Sequence, residues 1–85
     1  MQSRMEAAVE DCTVALQHDP RYVKVLLRRA QAHEAQGEFE KALADVSAVL
    51  EVEPLHARAT ADRERLQPRA EAQREAVKDE MMGAP

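Results

Sequence analysis

Residues 39–54 read Phe-Glu-Lys-Ala-Leu-Ala-Asp-Val-Ser-Ala-Val-Leu-Glu-Val-Glu-Pro. Phe39, Ala42, Leu43, Val46, Val49 and Leu50 fall on one stripe, the spacing of a single helix face. Gly37, just before the run, suits the left-handed conformation that closes a preceding helix. Pro54 ends the run, because a residue before proline is pushed out of the helical region. Residues 5–20 overlay on residues 39–54 without a gap, at an offset of 34 residues. Met5 falls on Phe39, Glu6 on Glu40, Ala8 on Ala42, Asp11 on Asp45, Leu16 on Leu50 and Pro20 on Pro54. Between the two copies, Arg21 to Gln36 is predicted as another helix, with Leu26, Leu27 and Ala30 as packing residues. A period of helix, tight turn, helix and proline means stacked units that each bury a face on the next. The expected fold is therefore all-α, an α-solenoid of antiparallel helix-turn-helix pairs.

The bulk numbers agree. The chain has 85 residues, a formal net charge of -4 and 45% hydrophobic residues, much of that share Ala. Tyr22 and Phe39 are the only aromatics, so the core is expected to be closely packed helices and not a β-sandwich. Mild acidity argues against nucleic acid as a partner. With one cysteine, Cys12, no intrachain disulfide can form, which suits a reducing compartment. Met1 to Glu6 contain no apolar signal core and no run approaches a membrane span. A cytoplasmic protein without membrane contact is expected.

Residues 1–22 are read as the second helix of a partial repeat and residues 23–56 as one complete repeat. Residues 57–85 are read as a capping helix and a polar helical extension, all in a single domain. Thr60, Arg63 and Glu64 replace the apolar and small residues that a third copy needs, so His56 to Leu66 is predicted as a closing helix with a polar outer face. Pro68 fits the first turn of a further helix, where its missing N–H costs nothing. That helix, Arg69 to Met82, has apolar contacts at Ala70, Val77 and Met81, and Gly83 to Pro85 are expected to fray. About five helices result.

The stretch Arg21 to Arg29 holds four cations and no acid. Cations in the opening turns of a helix face the positive end of its dipole, so stability alone does not account for them. Lys24 and Arg28 are four residues apart on one face, which Leu27 and Gln31 extend. Arg offers a planar fork of donors and Lys a mobile point charge, a pair suited to one anionic group. A solvated face with no ligand is the other reading of the same residues.

The 34-residue motif, with Leu26, Ala30, Gly37, Phe39, Ala42, Val49 and Pro54 at its spacing-defining places, resembles the tetratricopeptide repeat. Arg29 stands where a Leu is common, and His33 where an aromatic is common. Tyr22 to Ala30 is similar to a first helix of carboxylate-clamp tetratricopeptide modules, sharing Lys-x-x-x-Arg-Arg-Ala as Lys24, Arg28, Arg29 and Ala30. Those co-chaperone modules hold the free C-terminal Glu-Glu-Val-Asp peptide of Hsp70 and Hsp90. The resemblance implies that Lys24 and Arg28 contact the ligand's acidic groups. The family's other three clamp residues, one Lys and two Asn, lie on earlier helices; this sequence has no Asn, so half the clamp is expected, on a fragment. The tail from Leu66 to Gly83 resembles a closing helix of the family.

Other chemistry is not expected. Cys12 lies on the apolar stripe where Val46 stands one repeat later, as a buried small hydrophobe. His33-Glu34 lacks the second histidine of a zincin motif, because Gly37 occupies that place. His18, His33 and His56 have no metal spacing, and no glycine-rich phosphate loop occurs. An enzyme, a metal or a cofactor is therefore not anticipated. The first helix presents an apolar face with no partner of its own, for which self-association into a homo-oligomer is one remedy. Two readings stand: a peptide-binding module using Lys24, Leu27, Arg28 and Gln31, or a structural scaffold indifferent to them.

Overall fold

The computed structural model describes the backbone of residues 4–83 and the side chains of residues 4–75. Four helices follow in order: α1 (Arg4–His18), α2 (Val23–Ala35), α3 (Phe39–Val52) and α4 (Ala57–Gly83). No strand occurs among the described residues. Helices α1 and α2, α2 and α3, and α3 and α4 pack in succession, the expected all-α array. The side chains of Val77, Met81 and Met82, and residues 84–85, lie outside the described residues.

Local chemistry sets the boundaries. Helix α1 stops before Asp19-Pro20, and the Arg21 N–H donates to Asp19 Oδ1 at 3.2 Å, turning the chain. Helix α2 starts at Val23 and not at Arg21, because Pro20 and Arg21 are used in that turn. It ends at Ala35, where Gly37 takes φ 76. Around that glycine the Glu38 N–H bonds the His33 carbonyl at 2.8 Å and the Gly37 N–H bonds Glu34 at 2.9 Å. These two bonds form a Schellman closure, which a side chain at residue 37 would strain.

Helix α4 departs from expectation: it runs unbroken through Pro68, so the described residues form four helices and not five. A proline inside a helix removes one hydrogen bond and crowds the turn before it, at a cost of about 3 kcal/mol. Contacts on both sides outweigh that. Leu66 and Ala70, one turn apart across Pro68, are 1% and 0% exposed, while Pro68 itself faces solvent. One turn further, Gln73 binds the α2–α3 turn: the Phe39 N–H donates to its Oε1 at 3.1 Å and its Nε2 donates to the Gly37 carbonyl at 2.7 Å. Glu38 supplies no side-chain cap to α3, so Gln73 takes on that role from another helix. Arg69 adds a cation–π contact, 5.2 Å from the centroid of the Phe39 ring. At its start α4 is capped by His56, whose Nδ1 accepts from the Ala59 N–H at 3.1 Å.

The apolar core comprises Leu16, Leu26, Ala30, Ala42, Val46, Val49, Ala59 and Leu66. A partly buried polar cluster ties three helices beside it. Arg29 of α2 donates to Asp45 of α3 from Nε at 2.9 Å and from Nη2 at 2.6 Å, and to Thr13 Oγ1 of α1 from Nη1 at 3.2 Å. His33 Nε2 lies 3.8 Å from Asp45 Oδ2, while its Nδ1 is buried with no hydrogen-bond partner among the described residues. Burial pushes the His33 pKa below its ordinary value; Asp45 opposes the shift and Arg29 reinforces it.

Three outcomes are expected. Gln73→Ala lowers the unfolding free energy by about 1–2 kcal/mol, whereas Gln67→Ala on the exposed side of α4 stays within about 0.5 kcal/mol; urea denaturation compares them. Arg29→Leu strands the buried Asp45 carboxylate and costs about 2–3 kcal/mol, allowing for the partial exposure of the arginine. Adding Asp45→Ala recovers most of that loss in the same assay. Unfolded His33 takes a proton at higher pH than folded His33, so its contribution to stability is present near pH 7.5. That contribution falls as pH drops through the unfolded value of 6.5. His33→Phe is expected to flatten stability between pH 7.5 and 5.5, read from denaturation midpoints.

A cationic cleft as the candidate functional site

Helix α2 has two working faces. Leu26, Arg29, Ala30 and His33 point toward α3 and the core, at spacings of three and four residues. On the other side Lys24, Leu27, Arg28 and Gln31 repeat the same spacing, and together they line one cleft of about 360 Å³ with Tyr22, Val25 and Arg58. All four residues singled out in the sequence are thus neighbours. Leu27 is half-buried and packs against the core, while Lys24, Arg28 and Gln31 are exposed.

The four cations of residues 21–29 part company. A step of about 100° per residue puts Arg28 on the cleft and Arg29 on Asp45. No salt bridge pairs Lys24 or Arg28 with an acid among the described residues. Arg21 is exposed and does not line the cleft. The first turn of α2 holds no acidic residue and Tyr22 gives it no side-chain cap. The helix dipole therefore adds positive potential beside Lys24.

Sequence reasoning missed three cleft residues, Tyr22, Val25 and Arg58, of which Arg58, from the first turn of α4, is the charged one. The signal was present: Arg58 lies 34 residues after Lys24, the repeat offset itself. Reading His56 to Leu66 only as a closing helix hid it. A chain of ion pairs runs from α2 to Arg58. Arg65 Nη2 donates to Glu34 Oε1 at 3.0 Å and to Asp62 Oδ1 at 3.1 Å, and Arg65 Nη1 also donates to Glu34 Oε2. Hydrogen bonds to Glu34 and then Asp62 raise the Arg65 pKa further, so its charge is permanent. Asp62 Oδ2 in turn lies 3.8 Å from Arg58 Nε.

Beside the cationic cleft runs a groove of about 440 Å³ between α1 and α2, with Met5, Ala8, Cys12 and Ala15 on one wall and Val25 and Ala32 on the other. Val25, Arg28 and Gln31 line both spaces and form the ridge between them. Cys12 is buried at 4% exposure. Burial pushes its thiol up, against the pull of Arg28 and Arg29, so it packs as a small hydrophobe. Among the described residues no three metal-binding side chains converge, and no helix is long and apolar enough to cross a membrane.

Comparison with known proteins agrees with this architecture. The tetratricopeptide repeat model matches residues 1–66. Sperm-associated antigen 1 of Mus musculus is 47% identical over 51 residues, covering 60% of this chain and 6% of that protein. Mitochondrial import receptor subunit TOM70 of Homo sapiens is 44% identical over 46 residues, 54% of this chain and 8% of that protein. DnaJ homolog subfamily C member 7 of Mus musculus is 42% identical over 50 residues, 59% of this chain and 10% of that protein. The matched segment is thus a small part of each relative. No solved structure matches the chain significantly. With a 34-residue period, a stack of antiparallel helices and a family match over most of its length, the chain belongs to the tetratricopeptide repeat family.

Proposed function

We propose that this chain is part of a cytoplasmic, co-chaperone-type module that binds the acidic C-terminal peptide of Hsp70 or Hsp90. Binding proceeds without turnover, metal or cofactor. One observation carries the reading: Lys24 and Arg28 share a cleft with Leu27 and Gln31, and no salt bridge to an acid occupies either cation among the described residues. A free C-terminal carboxylate is the ligand group such a pair favours, with Arg28 as the fork and Lys24 as the point charge. Leu27 and the ridge residue Val25 offer an apolar wall, and Gln31 can donate or accept along the peptide backbone. The Lys-x-x-x-Arg-Arg-Ala element shared with carboxylate-clamp modules supports this, and the reading includes a tail that resembles that of tetratricopeptide repeat protein 1. One relative is by name an import receptor subunit, in keeping with recognition of other polypeptides.

The apolar groove favours a second reading, a structural module that associates with itself through α1, where Met5 is 43% exposed. Light scattering across the micromolar range separates the two: self-association gives a mass that rises with concentration.

The peptide reading is tested by titrating a labelled peptide ending in Glu-Glu-Val-Asp, as free acid and as C-terminal amide, at low and moderate salt. The free acid is expected to bind more tightly, and amidation or Arg28→Ala each to weaken it roughly tenfold, as for a charge-assisted hydrogen bond. Added salt weakens the free acid more than the amide. Equal binding of acid and amide overturns the reading.

A further inference from the structure

We infer that Arg58 is a specificity-determining residue of the cationic cleft, where it reads a second acid upstream of the ligand's terminal carboxylate. The inference rests on the peptide-binding reading above and extends it.

Arg58 and Lys24 stand one repeat apart, each the second residue of its helix, and both line the same cleft. In a solenoid, equivalent positions of successive repeats line up side by side on one face. Lys24 and Arg58 therefore form a row that crosses from α2 to α4. The row ends there, because the position one repeat after Arg28 holds an acid, Asp62.

Asp62 does not remove Arg58 from service. Its nearer partner is Arg65, at 3.1 Å, while Arg58 sits at 3.8 Å with its side chain 53% exposed. The carboxylate orients Arg58, and the Arg65–Glu34 pair anchors that carboxylate to α2. A guanidinium held at one edge and open at the other is positioned to donate to a second carboxylate.

The spacing selects which acid. Helices α2 and α4 are bridged by the Arg65–Glu34 side chains and do not pack directly, so their axes lie on the order of 10 Å apart or more, while an extended peptide advances about 3.3 Å per residue. With its terminal carboxylate on Arg28, a peptide presents to Arg58 the side chains about three residues before the end.

The test compares two free-acid peptides, one ending in Glu-Glu-Val-Asp and one in Gln-Gln-Val-Asp, on the wild-type chain, Arg58→Gln and Arg63→Gln. Arg63 is exposed on the same helix and does not line the cleft, so its variant controls for net charge. The expected result is a threefold to fivefold preference of the wild type and Arg63→Gln for the acidic peptide at low salt, as for a partly exposed ion pair. In Arg58→Gln that preference falls below twofold, while discrimination between free acid and amide persists. An unchanged preference in Arg58→Gln, with discrimination of acid from amide intact, overturns the role of Arg58 and leaves the peptide reading standing. Loss of acid-over-amide discrimination in the wild type itself overturns both.

Discussion

The structure depends on burying α3 from two sides at once. Ala42, Val46 and Val49 are each 0% exposed, and α3 packs on α2 and α4 together. Their one-turn spacing makes a narrow stripe, and small side chains along it let the neighbouring helices approach closely. Ala30 and Leu26 answer from α2, Ala59 and Leu66 from α4. Close approach then has a polar consequence: Asp45 shares the stripe, its side chain 6% exposed, and a carboxylate there needs a partner. Arg29 is that partner, and its reach to Thr13 carries the tie on to α1.

This demand divides the basic stretch of α2. Arg29 is taken by the fold, and its immediate neighbour Arg28 is left for solvent and the cleft. Two adjacent arginines thus serve different ends, because helix geometry turns each residue by about 100° from the last. The same twist explains why Lys24, Leu27, Arg28 and Gln31 converge while Leu26 and Ala30, lying among them in sequence, are buried.

Helix α4 closes the array and also builds the cleft. Gln73 holds the turn between α2 and α3, and Arg65 holds α2 directly through Glu34. Both contacts span more than 30 residues of sequence, 31 for Arg65–Glu34 and 36 for Gln73–Gly37. They act on a helix with few apolar residues and explain why Pro68 does not divide it. The charged surface of α4, which reads as a solvated cap, is in part a set of directed contacts back onto the repeat.

The sequence by itself determined the helical period, the bounds of α3, the glycine closure at residue 37 and the common face of Lys24, Leu27, Arg28 and Gln31. All of these follow from local rules: turn spacing, glycine's access to positive φ, proline's exclusion of the helical region before it. Tertiary structure alone decided the rest. The continuity of α4 through Pro68 rests on Leu66, Ala70 and Gln73 meeting surfaces distant in the chain. The pairing of Arg29 with Asp45, and the burial of His33 Nδ1 without a hydrogen-bond partner among the described residues, depend on which face α2 turns to α3. Arg58 joins the cleft only when α4 folds beside α2. A local pattern states which face a residue shares; only the packing of helices states what that face meets.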